Sequence, residues 1–309
     1  MAMEFSVISP VYRAENIVDE LCRRLLSVLS TITENFEIIL VEDGSPDKSW
    51  TEIKKWCEID KRIKGVKLSR NFGQHNAIAA GMRIAKGNWV VVMDCDLQDS
   101  PEEIPTLYQK ACEGHDIVFA KRQERQDKTL KKLYSKWFYA AYSYFTNTKQ
   151  DEAIANFGIY KNKVISSINE MGDYERVFPT LVQWVGYNKA YITVKHSQRY
   201  EGRSSYSFFK LLSLAFRMII SFSDKPLRIA LIAGTIISIS SFGFGIFYLI
   251  QSLRGVITEP GFASLIISIW FLGGTILIFI GVLGLYIGKI FEKVKNRPNF
   301  FIQEIKNMQ

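Results

Sequence analysis

Asp94, Asp96 and Gln98 stand at alternate positions in Met93-Asp94-Cys95-Asp96-Leu97-Gln98-Asp99, directly after the apolar run Trp89–Met93. Two carboxylates spaced i and i+2 beyond the end of a buried strand can hold one hard divalent cation. Mg2+ in particular binds through one or two carboxylates and leaves the rest of its shell to substrate phosphates. Such a site suits a nucleoside diphosphate that must be held and then released. Asp is also common in ordinary turns, so the meaning of the pair depends on what surrounds it.

The surrounding elements repeat one pattern. Short apolar runs at Phe5–Ser9, Phe36–Val41, Val66–Ser69, Trp89–Met93 and Ile117–Ala120 alternate with helix-like segments at Ile17–Leu29, Trp50–Ile59, Gln74–Ala85 and Ile104–Ala111. This alternation predicts a mostly parallel sheet covered by helices, and in such sheets ligands bind beyond the carboxyl ends of the strands. The residues expected at those ends are Pro10, Tyr12 and Glu15; Glu42, Asp43, Gly44 and Ser45; Arg70, Asn71 and Phe72; Asp94, Asp96 and Gln98; and Lys121, Arg122 and Arg125. Acids that can hold a metal or a base edge therefore share one rim with cations that can hold phosphates.

The chain has 309 residues, 48% hydrophobic, and the apolar residues are concentrated near the C-terminus. In the stretches 227–250 and 263–288 the only charged residue is Arg228. As helices they would reach roughly 36–39 Å, enough to cross a hydrocarbon core of about 30 Å. Lys289, Lys293, Lys295, Arg297 and Lys306 follow the second stretch, and Arg217, Lys225 and Arg228 flank the first, whereas the connecting loop carries Arg254 and Glu259. The positive-inside rule then places both termini in the cytoplasm of a multi-pass inner-membrane protein. Glu4–Pro10 reads as a strand and not as the start of a signal peptide. The four cysteines show no metal or redox spacing and fit a reducing compartment. With two spans present, the net charge of +8 is assigned to anionic lipid headgroups and not to nucleic acid. The expected division is a cytoplasmic domain over 1–225 and a membrane domain over 226–309 ending in a basic tail.

Taken together, Ser9-Pro10-Val11-Tyr12 with Glu15, Val41-Glu42-Asp43-Gly44-Ser45, Arg70-Asn71-Phe72-Gly73 and the Asp94–Asp99 segment resemble family-2 glycosyltransferases of the GT-A fold. The two spans and Arg199-Tyr200-Glu201-Gly202-Arg203-Ser204-Ser205-Tyr206 make the chain similar to polyisoprenyl-phosphate glycosyltransferases. That group includes dolichyl-phosphate mannose synthases and the bacterial undecaprenyl-phosphate glucosyltransferases of O-antigen modification, and the two-span plan resembles the bacterial branch. The resemblance implies a Rossmann-like α/β domain. It implies that Pro10, Tyr12, Glu15 and Asp43 line the base and ribose pocket, that Arg70 and Asn71 also bind the nucleotide sugar, and that Asp94, Asp96 and Gln98 hold Mg2+ or Mn2+ against the diphosphate. Asp99 either contacts the sugar or caps the helix beginning near Pro101.

The acceptor implied by the resemblance is a lipid phosphate met by Arg122, Arg125, Arg199 and Arg203, whose planar forks match phosphate, with hydroxyls from Ser204 and Tyr206. Each arginine equally fits a solvated or lipid-facing position. Leu130, Leu133, Tyr134, Trp137, Phe138, Ala141, Tyr144 and Phe145 recur at helical spacing within about 129–146, and a second apolar stretch covers about 206–223. Both read as helices lying in the membrane interface or packed against other protein. Many relatives carry an acid where this chain has Asn156, a position at which a catalytic base has been sought. An amide cannot serve as that base, but a phosphate monoester with a second pKa near 6 is largely dianionic at pH 7 and needs orientation more than deprotonation. Asn156 is then expected to orient, alongside Asp96 and Arg122.

The expected reaction is inverting transfer of a hexose, glucose from UDP-glucose, to polyprenyl phosphate at the cytoplasmic face. Two alternatives compete with it. A processive polysaccharide synthase needs a Gln-x-x-Arg-Trp motif, which Gln183-Trp184 does not complete, and a membrane scaffold would bind nucleotide sugar without turnover. Glycines in the spans permit a homo-oligomer.

Overall fold

In the computed structural model, the described residues are 3–122, 154–171, 177–194, 223–254 and 261–307. They divide into two units, one built from residues 1–143, 148–205 and 298–309 and the other from 144–147 and 206–297. The expected interfacial stretches 129–146 and 206–223, apart from the last residue of the second, lie outside the described residues, as do Arg125, Arg199, Arg203, Ser204 and Tyr206.

The first unit is a mixed α/β layer structure around one eight-stranded sheet. Its strands are β1 (Phe5–Val11), β2 (Phe36–Glu42), β3 (Ile63–Leu68), β4 (Trp89–Val92), β5 (Ile117–Arg122), β6 (Ile154–Lys161), β7 (Lys189–Val194) and β8 (Ile302–Lys306). The order across the sheet is β7-β5-β6-β4-β1-β2-β3-β8. Strand β6 runs against both β4 and β5, β8 runs against β3, and every other pairing is parallel. Helices α1 (Val18–Ser30), α2 (Ser49–Ile59), α3 (Gln74–Ile84), α4 (Ile104–Cys112), α5 (Asn162–Glu170) and α6 (Phe178–Trp184) supply the flanking layers.

Strands β1 and β2 are buried at every position, which is why they read as continuous apolar runs and not as alternating ones. The chain winds from β1 outward through β2 to β3, then returns to place β4 on the other side of β1. That reversal opens the crevice where parallel sheets bind ligands. β3 starts at Ile63, earlier than the apolar run beginning at Val66 predicts, because Lys64 and Gly65 disguise its first turn of strand. Lys64 is buried and ion-paired to the buried Glu37. Glu37 also accepts the Ser6 hydroxyl at 2.5 Å and the Lys86 N–H at 2.7 Å. A Cβ on Gly65 would lie 2.8 Å from Ile53 Cγ2, so glycine lets α2 pack close. The Glu37 cluster sits toward the amino ends of the strands, remote from the expected rim.

The second unit contains α7 (Lys225–Leu253) and α8 (Phe262–Val294). Both hold windows long and apolar enough to cross a membrane, Lys225–Phe244 and Ser268–Val294, with none of either window buried. Large side chains such as Trp270, Phe242 and Leu277 are exposed along them, as lipid-facing helices require. Thr235 and Thr275 turn their hydroxyls back onto the Leu231 and Phe271 carbonyls, which keeps those groups satisfied without water. A Cβ on Gly234 would lie 3.1 Å from the Phe279 ring, so the two helices meet closely at that point.

Residues 302–306 differ from their expected place. The sequence reading groups them with the membrane segment as a basic tail, whereas they form the edge strand of the first unit. The strand is short and largely exposed, so it lacks the apolar run that reveals a central strand.

Candidate active site

Three loops at the carboxyl ends of β1, β2 and β3 are tied into one body. Val11 ends β1, and Arg13 follows in the left-handed region with φ 52°. The Arg13 N–H donates to Ser45 Oγ at 2.8 Å and the Ala14 N–H to Ser49 Oγ at 3.0 Å. Glu15 engages the β2 loop twice: its N–H donates to Asp47 at 3.2 Å, and its carboxylate accepts the Lys48 N–H at 2.9 Å. Asp47 also accepts both serine hydroxyls and the Ser49 N–H. Burial acts to raise the Asp47 carboxyl, but the Ser45, Ser49 and Glu15 donors outweigh it and hold its pKa below the usual range. Asp47 is a residue the sequence reading missed; its only signal is the Ser-Pro-Asp-x-Ser turn chemistry after Gly44.

Asp43 is buried, and its two oxygens accept the N–H groups of Phe72 at 2.7 Å and Gly73 at 2.9 Å. Burial nevertheless pushes its pKa up, against those two bonds. Glu42 beside it is also raised by burial, despite the Ser45 N–H that its Oε1 accepts. Gly44, at φ +60°, is required twice over: a Cβ there would lie 2.2 Å from the Asn71 nitrogen and 2.3 Å from the Arg70 carbonyl carbon. The Arg70-Asn71-Phe72-Gly73 turn thus presses directly on the β2 loop. Arg70 and Asn71 are exposed, with the Arg70 guanidinium over the Phe72 ring at 4.7 Å.

Tyr12 is exposed at this rim, with Arg13 over its ring at 5.5 Å. Pro10 is buried within β1 opposite Val41, so its part in any pocket is to shape the strand below it.

The acidic loop after β4 is shaped by Leu97, which sits at φ 56° with its side chain buried in the core. A left-handed non-glycine residue marks an unusual turn. Asp96 accepts the Gln98 N–H at 3.1 Å, an Asx-type closure of that turn. Asp94 and Asp96 are half-buried, whereas Gln98 and Asp99 are buried. The short helical turn Pro101–Glu103 has Ser100 at its N-cap position, with Asp99 directly before it. Arg24 from α1 clasps Glu102 and Ser100 on that turn, and this holds the Glu102 carboxyl down at about 2.

Two amides converge on Asp94. Gln74 Nε2 donates to its Oδ1 at 2.5 Å and Asn156 Nδ2 to the same oxygen at 3.3 Å. Antiparallel pairing of β4 with β6, Val92 against Gly158, carries Asn156 to the level of Asp94. Gln74 is a site residue the sequence reading missed, although it directly follows Arg70–Gly73. Next to it, burial pushes His75 down to about 4, so its imidazole is neutral at pH 7. Arg122 ends β5 at the same edge.

Among the described residues no three His, Cys, Asp or Glu side chains cluster tightly enough to hold a metal on their own. Two aspartates at the rim match the Mg2+ pattern, in which phosphates complete the shell.

Residues 6–167 match the model for Glycosyl transferase family 2. The chain is 36% identical to a glycosyltransferase of Synechocystis sp. over 310 residues, covering all of this chain and 98% of the other. It is 35% identical to the undecaprenyl-phosphate 4-deoxy-4-formamido-L-arabinose transferase of Shewanella sediminis, covering 97% and 92% of the two chains. Among solved structures, glucosyl-3-phosphoglycerate synthase from Mycobacterium tuberculosis in complex with Mn2+, UDP and phosphoglyceric acid aligns with a TM-score of 0.51 at 15% identity, over 71% of this chain and 77% of that one. The chain therefore belongs to glycosyl transferase family 2, with a GT-A-like fold, and is a glycosyltransferase.

Proposed function

We propose that the protein transfers one sugar from a nucleoside-diphosphate donor to a polyprenyl phosphate at the cytoplasmic face of the inner membrane, with inversion at the anomeric carbon. The observation that carries this reading is the Asp94–Asp96 loop beside the β1–β4 crevice, with two amides fixed on Asp94. The two apolar helices and the similarity to the Shewanella transferase named for undecaprenyl phosphate support the lipid acceptor.

In this reading Tyr12 and Glu15 line the base and ribose pocket over Pro10, Asp43 faces the base edge, and Arg70 and Asn71 bind the donor. Asp94, Asp96 and Gln98 would hold Mg2+ or Mn2+. A bound divalent ion supplies charge neutralisation for the departing diphosphate. Asp99 faces the sugar, and Asn156 orients the donor through Asp94. A lipid-phosphate oxygen attacks the anomeric carbon, the bond from that carbon to the diphosphate breaks, and its electron pair leaves on the diphosphate oxygen. Arg122, Arg125, Arg199, Arg203, Ser204 and Tyr206 are the groups proposed to receive the acceptor phosphate.

UDP-glucose is the first donor to test. UDP-4-deoxy-4-formamido-L-arabinose is the second, on the strength of the Shewanella similarity. Purified protein incubated with radiolabelled UDP-glucose, undecaprenyl phosphate and Mg2+ is expected to yield labelled lipid carrying one sugar. A polymeric product would favour a processive synthase. No labelled lipid with either donor, or with any other common nucleotide sugar, would overturn the proposal. Asp96→Ala is expected to remove nearly all transfer while leaving the melting temperature unchanged, and retained turnover would contradict the metal role.

A further inference from the structure

Strand β8 reaches further than an edge cover needs to. Its ladder with β3 runs from Gly65–Lys306 to Leu68–Ile302. At the far end, the Asn307 amide donates to the carbonyls of Cys57 and Ile63. At the near end the contacts continue past β3 into the donor loop. The Ser69 N–H donates to the Phe301 carbonyl at 2.9 Å. The Phe301 ring lies 6.4 Å from the Phe72 ring, within the range of aromatic pairing. Phe300 is buried, with the Arg83 guanidinium of α3 over its ring at 4.7 Å.

Ser69 and Phe72 bracket Arg70 and Asn71, and the Phe72 and Gly73 N–H groups are those that hold Asp43. A strand whose only task was to protect the β3 edge would have no need to touch Phe72 or α3.

We propose that the segment following the second apolar helix is part of the donor site, with Phe300 and Phe301 as positioning residues that hold the Arg70–Gly73 turn in its nucleotide-binding shape. This rests on the donor reading given above. Phe301 is 55% exposed, so truncating it removes the contact with Phe72 without opening a cavity in the core.

The test uses the full chain in detergent, titrated calorimetrically with UDP and with GDP in the presence of Mn2+. Phe301→Ala is expected to weaken nucleoside-diphosphate binding about tenfold, the effect of losing about one good contact. Phe301→Tyr restores it. In turnover the donor KM rises in Phe301→Ala while the acceptor KM and melting temperature stay as in wild type. Nucleotide binding equal to wild type in Phe301→Ala would overturn the positioning role and leave the donor reading intact. A wild-type chain that binds neither nucleotide would overturn the donor reading, and this role with it.

Discussion

At Asp94 a single carboxylate oxygen receives two side-chain amides, Gln74 and Asn156. Asn156→Ala removes one of these two donors and is expected to lower kcat/KM while the melting temperature changes little, which steady-state kinetics read beside thermal unfolding. Gly44 makes a sharper case. Its φ of +60° and the 2.2 Å approach to Asn71 mean that Gly44→Ala must displace the Arg70–Gly73 turn, at a cost of at least about 1–3 kcal/mol. Thermal unfolding should show the loss, together with weaker nucleotide binding. The motif residues around Asp43 and Asp94 were legible because turn chemistry and strand ends are local. The link from Asp94 to Asn156 was not, because 62 residues separate them and only the antiparallel register of β4 with β6 joins them.

Among the elements, β1, β2, β4 and β5 announced themselves as apolar runs because both of their faces are covered. β6 and β7 did not, since Asn156 and Gly158 break the first and exposed positions interrupt the second. Lys64 hid the start of β3, and the hidden feature is energetically large. Lys64→Ala leaves Glu37 charged and buried, which costs about 3–5 kcal/mol. A loss of unfolding free energy of that size in denaturant titration would check it. The clasp of Arg24 on Glu102 gives a smaller, pH-dependent effect. Glu102 titrates at about 2 in the folded chain against 4.5 ordinarily, so its stabilisation is fully present above pH 4.5 and lost as pH falls toward 2. Both partners are substantially exposed, and solvent screening limits the contribution to about 1 kcal/mol or less. Comparing the acid unfolding of wild type and Glu102→Gln measures it.

For the molecule as a whole, the first unit holds nearly all of the family-2 match and the second carries the apolar helices. Because β8 lies beyond α8 yet pairs with β3, the intervening helical segment can cross a bilayer only an even number of times. The two apolar stretches predict two crossings, and flanking charge predicts that both termini are cytoplasmic. Single cysteines introduced at Lys48 and Lys295 should therefore react with an impermeant maleimide from one face, and a cysteine at Thr258 from the other. The apolar helices were plain from composition, whereas the return of the chain into the sheet was not, since five exposed residues at an edge carry little pattern.

That return also sets an order of events during synthesis. Strand β3 leaves the ribosome long before its partner β8, and more than two hundred residues, including both greasy helices, must emerge in between. Until the residues that follow α8 are translated, the nascent sheet keeps a bare margin. The β3 margin is therefore covered only after both apolar helices have been made, which places β8 among the final pairings of the sheet.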